Sequence, residues 1–239
     1  MARTNVVSKS EPSSNASDAE LVLLGAQGSD MAFEFIMRRY NRLLFRTARS
    51  IVDNDADAEE VLQEAYMHAW QALGRFRAEA KLSTWLVRIV INAALGRRRR
   101  RGAQLVPLSI DAVLDQPEMQ RLLMTNPKQH PDQHAIRVEL RTMLEARIDQ
   151  LPDMYRTVFM LRAVEEMTTA EVAEALQLPE ATVRTRFFRA RSVLREGLAS
   201  DVDASLDEVF AFDGERCDRI VSQVLEKIRN GGVKSKTMD

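Results

Sequence analysis

Five arginines and two adjacent phenylalanines between residues 181 and 195 give this segment the strongest potential for molecular recognition. At about 100° per residue, a helix here has one apolar face, formed by Val183, Phe187, Ala190 and Leu194. The opposite face and its edge consist of Arg184, Thr185, Phe188, Arg189 and Ser192. Arginine pairs with guanine edges and phenylalanine contacts thymine methyl groups, so this face predicts binding to duplex DNA. Arg186 and Arg191 flank the apolar face and are better placed for phosphates.

A helix-turn-helix pattern surrounds this segment. Thr168 and Glu171 have capping-box spacing, in which each side chain bonds the other's backbone N–H at a helix start. Pro179 cannot continue that helix because its ring excludes the next backbone hydrogen bond, so residues 177–179 are predicted to form the turn. The alternative is a solvated arginine-rich helix with Phe188 packed on a neighbour. The combined pattern favours DNA recognition.

A second set of residues, in the first half of the chain, suits single-stranded nucleic acid. A polar stripe at four-residue spacing consists of Thr84, Arg88 and Asn92. It leads toward Arg97–Arg101, and Phe76 precedes it in a predicted loop. Bases stack on aromatic rings, cations neutralise the backbone, and an amide recognises a base edge. The alternatives are that Trp85, on the apolar face, belongs to the core and that the basic run is simply solvated.

An acidic segment indicates a second kind of partner. Residues 53–64 contain six carboxylates and no basic residue. Glu60 and Glu64 are four residues apart on a predicted helix, where like charges repel, and Glu59 and Gln63 have the same spacing. A basic partner surface would explain this pattern. The alternative is a solvated acidic first turn favoured by the helix dipole, which accounts less well for Glu64.

The elements that position these residues are predicted to be helices. Only 9 Gly and 7 Pro occur among 239 residues, and Leu, Ala, Arg and Glu are abundant. We expect an all-α protein with two small helical domains, residues 18–101 and 137–199. Four of the seven prolines lie in 102–136, which is predicted to be a flexible linker. Residues 1–17 are polar and aperiodic and are predicted to be disordered.

The C-terminal extension, residues 200–239, is predicted to contain one amphipathic helix after a turn at Asp213-Gly214. The apolar face of that helix consists of Ile220, Val221, Val224, Leu225 and Ile228. Our hypothesis is that this helix docks on one of the domains or binds a regulator.

Motifs of the common enzyme classes are missing from the sequence. We find no glycine-rich phosphate loop, paired-histidine metal helix or nucleophile motif, and expect no catalysis, cofactor or small-molecule substrate. His130, Asp132 and His134 resemble a metal site, but a proline-rich linker offers no rigid frame for one. The single cysteine, Cys217, excludes an internal disulfide and fits a reducing cytosol. With no apolar stretch of membrane-spanning length and no hydrophobic signal region, a cytoplasmic location without membrane insertion is expected.

Two blocks of the sequence resemble the extracytoplasmic-function sigma factors, the small group IV members of the sigma-70 family. Residues 57–66, 76–77 and 83–92 look like their regions 2.2 to 2.4, and residues 151–191 look like their region 4. The resemblance covers about residues 18–101 and 137–198. It implies a factor that binds core RNA polymerase, recognises the −35 and −10 promoter elements, promotes promoter melting and is controlled by an anti-sigma factor.

The resemblance also implies residue roles. Core polymerase would be bound by Asp57, Glu60, Gln63 and Glu64. The −10 element would be contacted by Phe76, Lys81, Arg88 and Asn92, with a flipped base held by Phe76 and Asn92. The −35 element would be contacted by Arg184, Thr185, Arg186, Phe188, Arg189 and Arg191.

Two further hypotheses compete with this one. A plain helix-turn-helix regulator would explain residues 168–194 only. A sigma-like decoy that sequesters an anti-sigma factor would not need Asn92, Arg184 or Arg189.

The sequence departs from the family at two points. One is Ala181, where the family often has glycine, which predicts a slightly different turn. The other is an extension of about 40 residues beyond region 4, where many members stop.

Overall fold

The computed structural model describes residues 13, 15–52, 54–101, 133–195 and 212–230, and within these ranges all regular elements are helices. The α-helices are α1 (Asp18–Ala26), α2 (Asp30–Arg49), α3 (Asp55–Ala72), α4 (Leu82–Arg100), α5 (Gln133–Gln150), α6 (Asp153–Phe159), α7 (Thr169–Leu176), α8 (Glu180–Arg195) and α9 (Gly214–Asn230). A 3₁₀ turn, Leu73–Arg75, follows α3, and a π turn, Met160–Val164, follows α6. The predicted all-α class is confirmed.

Helices α1 to α4 lie within residues 18–101, and α6 to α8 lie within residues 137–199. Helix α5 begins at Gln133, four residues before the predicted start of the second domain at residue 137. Most of that linker, residues 102–132, lies outside the described residues, as do residues 1–12 of the N-terminal segment. Asp213 is the N-cap of α9 and not part of a separate turn, because its Oδ1 accepts a hydrogen bond from Arg216 N at 2.7 Å.

Polar side chains start the first helices at the residues where the periodic pattern begins. Ser17 and Glu20 form a reciprocal capping box at α1. Asn54 caps α3 by accepting a hydrogen bond from Asp57 N at 2.8 Å. Each cap satisfies a backbone N–H that the helix leaves without a partner, which helps to define where the helix begins.

Helices α2, α3 and α4 pack against one another around aromatic side chains. The Phe33 ring meets the rings of Tyr66 and Trp70 edge-on, with centroids 6.0 and 5.0 Å apart. Tyr66 is fully buried, and its hydroxyl donates to Asn41 Oδ1 at 2.7 Å, which satisfies the polar end of the ring.

Helix α4 is covered on a second side by α7, so its burial pattern differs from the predicted one. Thr84 is only 2% exposed, and its assignment to an exposed polar stripe is wrong. Trp85, predicted to be core, is half-buried, whereas Asn92 is exposed as expected. A single-face periodicity cannot anticipate a helix that packs on two sides.

The two predicted helical domains share one continuous apolar core. Val158, Leu161 and Val172 pack in the same buried cluster as residues of α2 to α4. Charged pairs also cross this boundary: Arg46 Nη1 lies 2.9 Å from Glu165 Oε1, and Arg49 holds both oxygens of Asp149 at 2.8 and 2.6 Å. The second predicted domain is therefore in contact with the first bundle through both apolar burial and paired charges.

Candidate nucleic-acid and polymerase interfaces

Helix α8 presents the face that the sequence predicted. Val183 and Ala190 are fully buried, while the Phe188 side chain on the opposite side is 73% exposed. Arg184 is exposed on the same outer face, where Glu180 Oε2 accepts its hydrogen bond at 2.9 Å. A large exposed aromatic beside a guanidinium group is suited to contact with base edges in a major groove.

The remaining arginines of α8 differ in their surroundings. Arg189 is half-buried and donates to the Tyr155 hydroxyl at 3.2 Å. Arg191 is exposed and lies 5.8 Å from the centroid of the Phe187 ring. Arg186 is only 1% exposed, so its predicted phosphate contact requires a change in packing around α8. In sequence, the position of Arg186 beside the apolar face was the one available sign of this burial.

The turn between α7 and α8 is built by Gln177. Its φ of 54° places it in the left-handed region, and Leu178 N donates back to Ala173 O at 2.9 Å. These features terminate α7 in the way glycine usually does, and Pro179 then begins the entry to α8. Ala181 lies inside α8, outside the turn formed by residues 177–179.

An open cavity of about 230 Å³ lies beside the predicted −10 residues. Phe76, Trp85 and Arg88 line it, and the Phe76 and Trp85 rings are tilted against each other with centroids 5.3 Å apart. Glu174 of α7 also contributes to the wall. Aromatic surfaces next to a guanidinium suit an unstacked base, while the Glu174 carboxylate at the same opening disfavours phosphate.

Lys81, which immediately precedes α4, links the segment beside this cavity to the helix-turn-helix. Its Nζ lies 2.6 Å from Glu171 Oε1, and Glu171 also closes the capping box of α7 through Thr168. The Lys81 ammonium and then the Thr168 backbone N–H hold the pKa of Glu171 at about 2. One carboxylate therefore starts α7 and ties it to Lys81, the residue that precedes α4.

We expect Glu171→Gln to lower the free energy of unfolding at pH 7 by about 0.5–1 kcal/mol, because glutamine keeps the cap but loses the exposed ion pair. The folded pKa of about 2 lies below the unfolded value, so the advantage of the wild type persists above about pH 4.3. It declines as the pH falls toward 2. Urea unfolding of both proteins at pH 7 and pH 3 measures this difference.

The matched control is Glu174→Gln, an exposed carboxylate one turn away on the same helix. Its stability should equal that of the wild type within about 0.5 kcal/mol at both pH values. A Glu171→Gln deficit that is the same at pH 7 and pH 3 would contradict the assigned ion pair.

The predicted polymerase-binding residues on α3 divide into buried and exposed members. Asp57 is 5% exposed; burial opposes its ionisation, but hydrogen bonds from Arg97, Asn54 and Arg101 prevail and lower its pKa. The Glu60 side chain is 60% exposed. Glu60 is thus more accessible to a partner than Asp57, whose environment is that of a structural carboxylate.

The arginine run at the end of α4 pairs with carboxylates, which the sequence analysis did not anticipate. Arg97 Nη2 lies 2.8 Å from Asp57 Oδ1, and Arg100 Nη2 lies 2.9 Å from Glu64 Oε2. Arg98 pairs with Asp153 of α6. The complementary charges of the two segments were visible in the sequence, but their proximity was not.

Neither a metal site nor a membrane-crossing helix is present in the parts of the chain that the structure describes. No group of three or more histidine, cysteine or acidic side chains converges there. No helix in those ranges has the length and apolar content to cross a membrane. The side chains of His130, Asp132 and His134 lie outside the described residues.

Two family models match the chain at the segments just described. Sigma-70 region 2 matches residues 36–104, which include α3, the segment with Phe76 that lines the cavity, and α4. Sigma-70 region 4 matches residues 141–194, which include the helix-turn-helix. The chain belongs to the sigma-70 family, and it is a transcription initiation factor whose partners are core RNA polymerase and promoter DNA.

Curated relatives place the chain in the extracytoplasmic-function group of that family. RNA polymerase sigma-H factor of Pseudomonas aeruginosa is 31% identical over 182 residues, 76% of this chain and 93% of the relative. ECF RNA polymerase sigma factor SigW of Bacillus subtilis is 30% identical over 172 residues, 72% of this chain and 91% of the relative.

A solved structure supports the same fold. CnrH, determined in complex with the cytosolic domain of CnrY, has a TM-score of 0.55 and 26% identity to this chain. The match covers 78% of this chain and 99% of CnrH.

Proposed function

We propose that this sigma factor uses three separate surfaces, one to bind polymerase and two to recognise the promoter. The edge of α3 that carries Glu60, Gln63 and Glu64 binds core polymerase. The cavity beside Phe76, together with Lys81, Arg88 and Asn92, receives an unstacked base of the −10 element. The outer face of α8, with Arg184, Thr185, Phe188, Arg189 and Arg191, enters the major groove of the −35 element.

The observation that most supports the α8 assignment is the exposure of Phe188. Phe188 is 73% exposed on the second helix of the helix-turn-helix. In the free protein most of its apolar ring is therefore in water and not in contact with other apolar groups. Thymine methyl groups would supply that contact, and arginines on the same face supply hydrogen bonds to guanine or phosphate.

A run-off transcription assay tests the proposal as a whole. The purified chain is mixed with bacterial core RNA polymerase and a library of genomic promoter fragments. Promoter-specific transcripts that share two sequence elements at a fixed spacing would support it. Duplex DNA binding without core binding would indicate a plain helix-turn-helix regulator, and absence of both would indicate a decoy.

We expect Glu64→Lys to weaken binding to core polymerase about tenfold or more, because it places a cation where a basic partner surface approaches. Glu64 pairs with Arg100 at 2.9 Å at the edge of α3, and the apolar core is untouched, so the chain remains folded. Equilibrium binding to core polymerase measures the effect. Glu226→Lys, the same charge change at an exposed site on α9, is the control and should bind like the wild type.

The cellular setting follows from the partners. Core polymerase and promoter DNA are located in the bacterial cytoplasm, where we place this chain, and catalysis of RNA synthesis belongs to the polymerase. CnrH was solved with the cytosolic domain of another protein bound to it. By analogy, we propose that an anti-sigma factor controls this chain as well.

A further inference from the structure

The C-terminal helix α9 packs on the same region of the molecule that the acidic helix α3 offers to partners. All five residues of its predicted apolar face are buried: Ile220, Val221, Val224, Leu225 and Ile228, each 7% exposed or less. They pack against α2 and α3 within the main core cluster. The sequence predicted that this helix docks on a domain or binds a regulator, and in the structure it is docked on the first domain.

Polar contacts orient α9 along the acidic face of α3. Arg219 holds both carboxylate oxygens of Glu59 at 2.7 and 3.0 Å. Arg216 lies 2.7 Å from Asp55 Oδ2 and 3.2 Å from Glu59 Oε1, and its guanidinium lies 4.4 Å from the centroid of the Phe45 ring. The basic side of α9 therefore neutralises one side of α3, as a basic partner would.

Gln63 is the point where α9 meets the predicted polymerase surface. Its amide nitrogen donates to Gln223 Oε1 at 2.5 Å, and its amide oxygen accepts from Lys227 Nζ at 2.9 Å. Both ends of the Gln63 amide thus interact with α9. While α9 remains docked, neither end of the Gln63 amide is available to a partner.

We propose that α9 is an intramolecular cap on the α3 surface and that core RNA polymerase must displace it to bind. This inference rests on the proposed role of Glu60, Gln63 and Glu64 in polymerase binding. Because the capped state cannot bind, the apparent affinity for polymerase equals the affinity of the undocked state multiplied by the fraction of molecules in which α9 is undocked. Loss of α9 docking therefore strengthens polymerase binding.

Two carboxylates introduced on opposite faces of α9 test the cap in the full chain. Val224→Asp places a charge on the fully buried face, and Ser222→Asp places the same charge on the exposed face. We expect Val224→Asp to bind core polymerase about tenfold more tightly than the wild type and Ser222→Asp to match the wild type within about twofold. Arg219→Glu opposes Glu59 without altering the apolar face and should tighten binding about threefold.

Cys217, the single cysteine, reports docking directly. It is half-buried in the interface, where Asn41 Nδ2 donates to its Sγ at 3.0 Å. Thiol labelling followed by mass spectrometry of the Cys217 peptide distinguishes it from polymerase cysteines. Addition of core polymerase to the wild type should accelerate labelling about tenfold, and Val224→Asp should be labelled at the fast rate without polymerase.

The outcomes of these experiments distinguish failure of the cap proposal from failure of the proposed polymerase binding. The cap proposal would be overturned if the wild type, Val224→Asp and Arg219→Glu bound polymerase equally and Cys217 stayed protected in the complex. The proposed polymerase binding would then still stand. Failure of every protein, including the wild type, to bind polymerase would instead overturn the proposed function. If Val224→Asp does not fold, Arg219→Glu and wild-type Cys217 labelling decide the question.

Discussion

Asp57→Ala is expected to lower the free energy of unfolding by about 2–3 kcal/mol. The substitution leaves Arg97, whose side chain is 17% exposed, without the carboxylate 2.8 Å away. It also removes the acceptor for Arg101 and for Asn54, whose Nδ2 lies 2.8 Å from Asp57 Oδ2. Removal of one partner of a buried pair costs more than the pair contributes, because the remaining charge is desolvated. Denaturant unfolding at pH 7 measures the change.

Glu60→Ala is the control for Asp57→Ala, since Glu60 pairs with the same Arg97 but its side chain is 60% exposed. Its unfolding free energy should change by less than about 1 kcal/mol. Equal destabilisation by the two substitutions would contradict the structural role of Asp57. The lowered pKa of Asp57 also means that its contribution is present above the unfolded pKa and is lost as the pH falls through the folded one.

Arg189→Ala is expected to weaken binding to the −35 element by about 10- to 100-fold, which corresponds to one base or phosphate contact of about 1–3 kcal/mol. In the free protein Arg189 donates to the Tyr155 hydroxyl at 3.2 Å, so under the proposed function the guanidinium would exchange this hydrogen bond for one to DNA. Affinity of the reconstituted holoenzyme for promoter fragments measures the loss. Affinity for core polymerase should remain unchanged.

The salt dependence of this variant identifies what Arg189 contacts. A phosphate contact predicts weaker binding to every −35 sequence and a salt slope smaller by about one unit. A base contact predicts relaxed specificity at one base pair. Loss of both core and promoter binding would contradict the assignment and indicate misfolding.

The packing of α7 on α4 has consequences for DNA access. Glu171 forms an ion pair with Lys81, and Glu174 forms part of the wall of the cavity at Phe76. Because Lys81 neutralises Glu171, Glu174 is the carboxylate whose field would oppose a phosphate that approached this cavity.

Local sequence patterns determined the helices and many of their faces. The apolar positions of α8 and α9, the capping box at Thr168 and the exposure of Phe188 all follow from spacing along one helix, since a helix face is defined by residues three and four apart. The family could be predicted for the same reason, because its motifs are contiguous in the chain.

Only the tertiary structure decided which helices meet. Arg219 and Glu59 are 160 residues apart, and Arg97 and Asp57 are 40 apart, so nothing in their local sequence specified these pairs. The burial of Arg186 and Thr84 likewise depends on packing that a single-face periodicity does not contain. Periodicity shows that a face must be covered, but the shape and charge of distant segments determine what covers it. For α9, the cores of α2 and α3 cover the apolar face, and the acidic residues of α3 pair with its arginines.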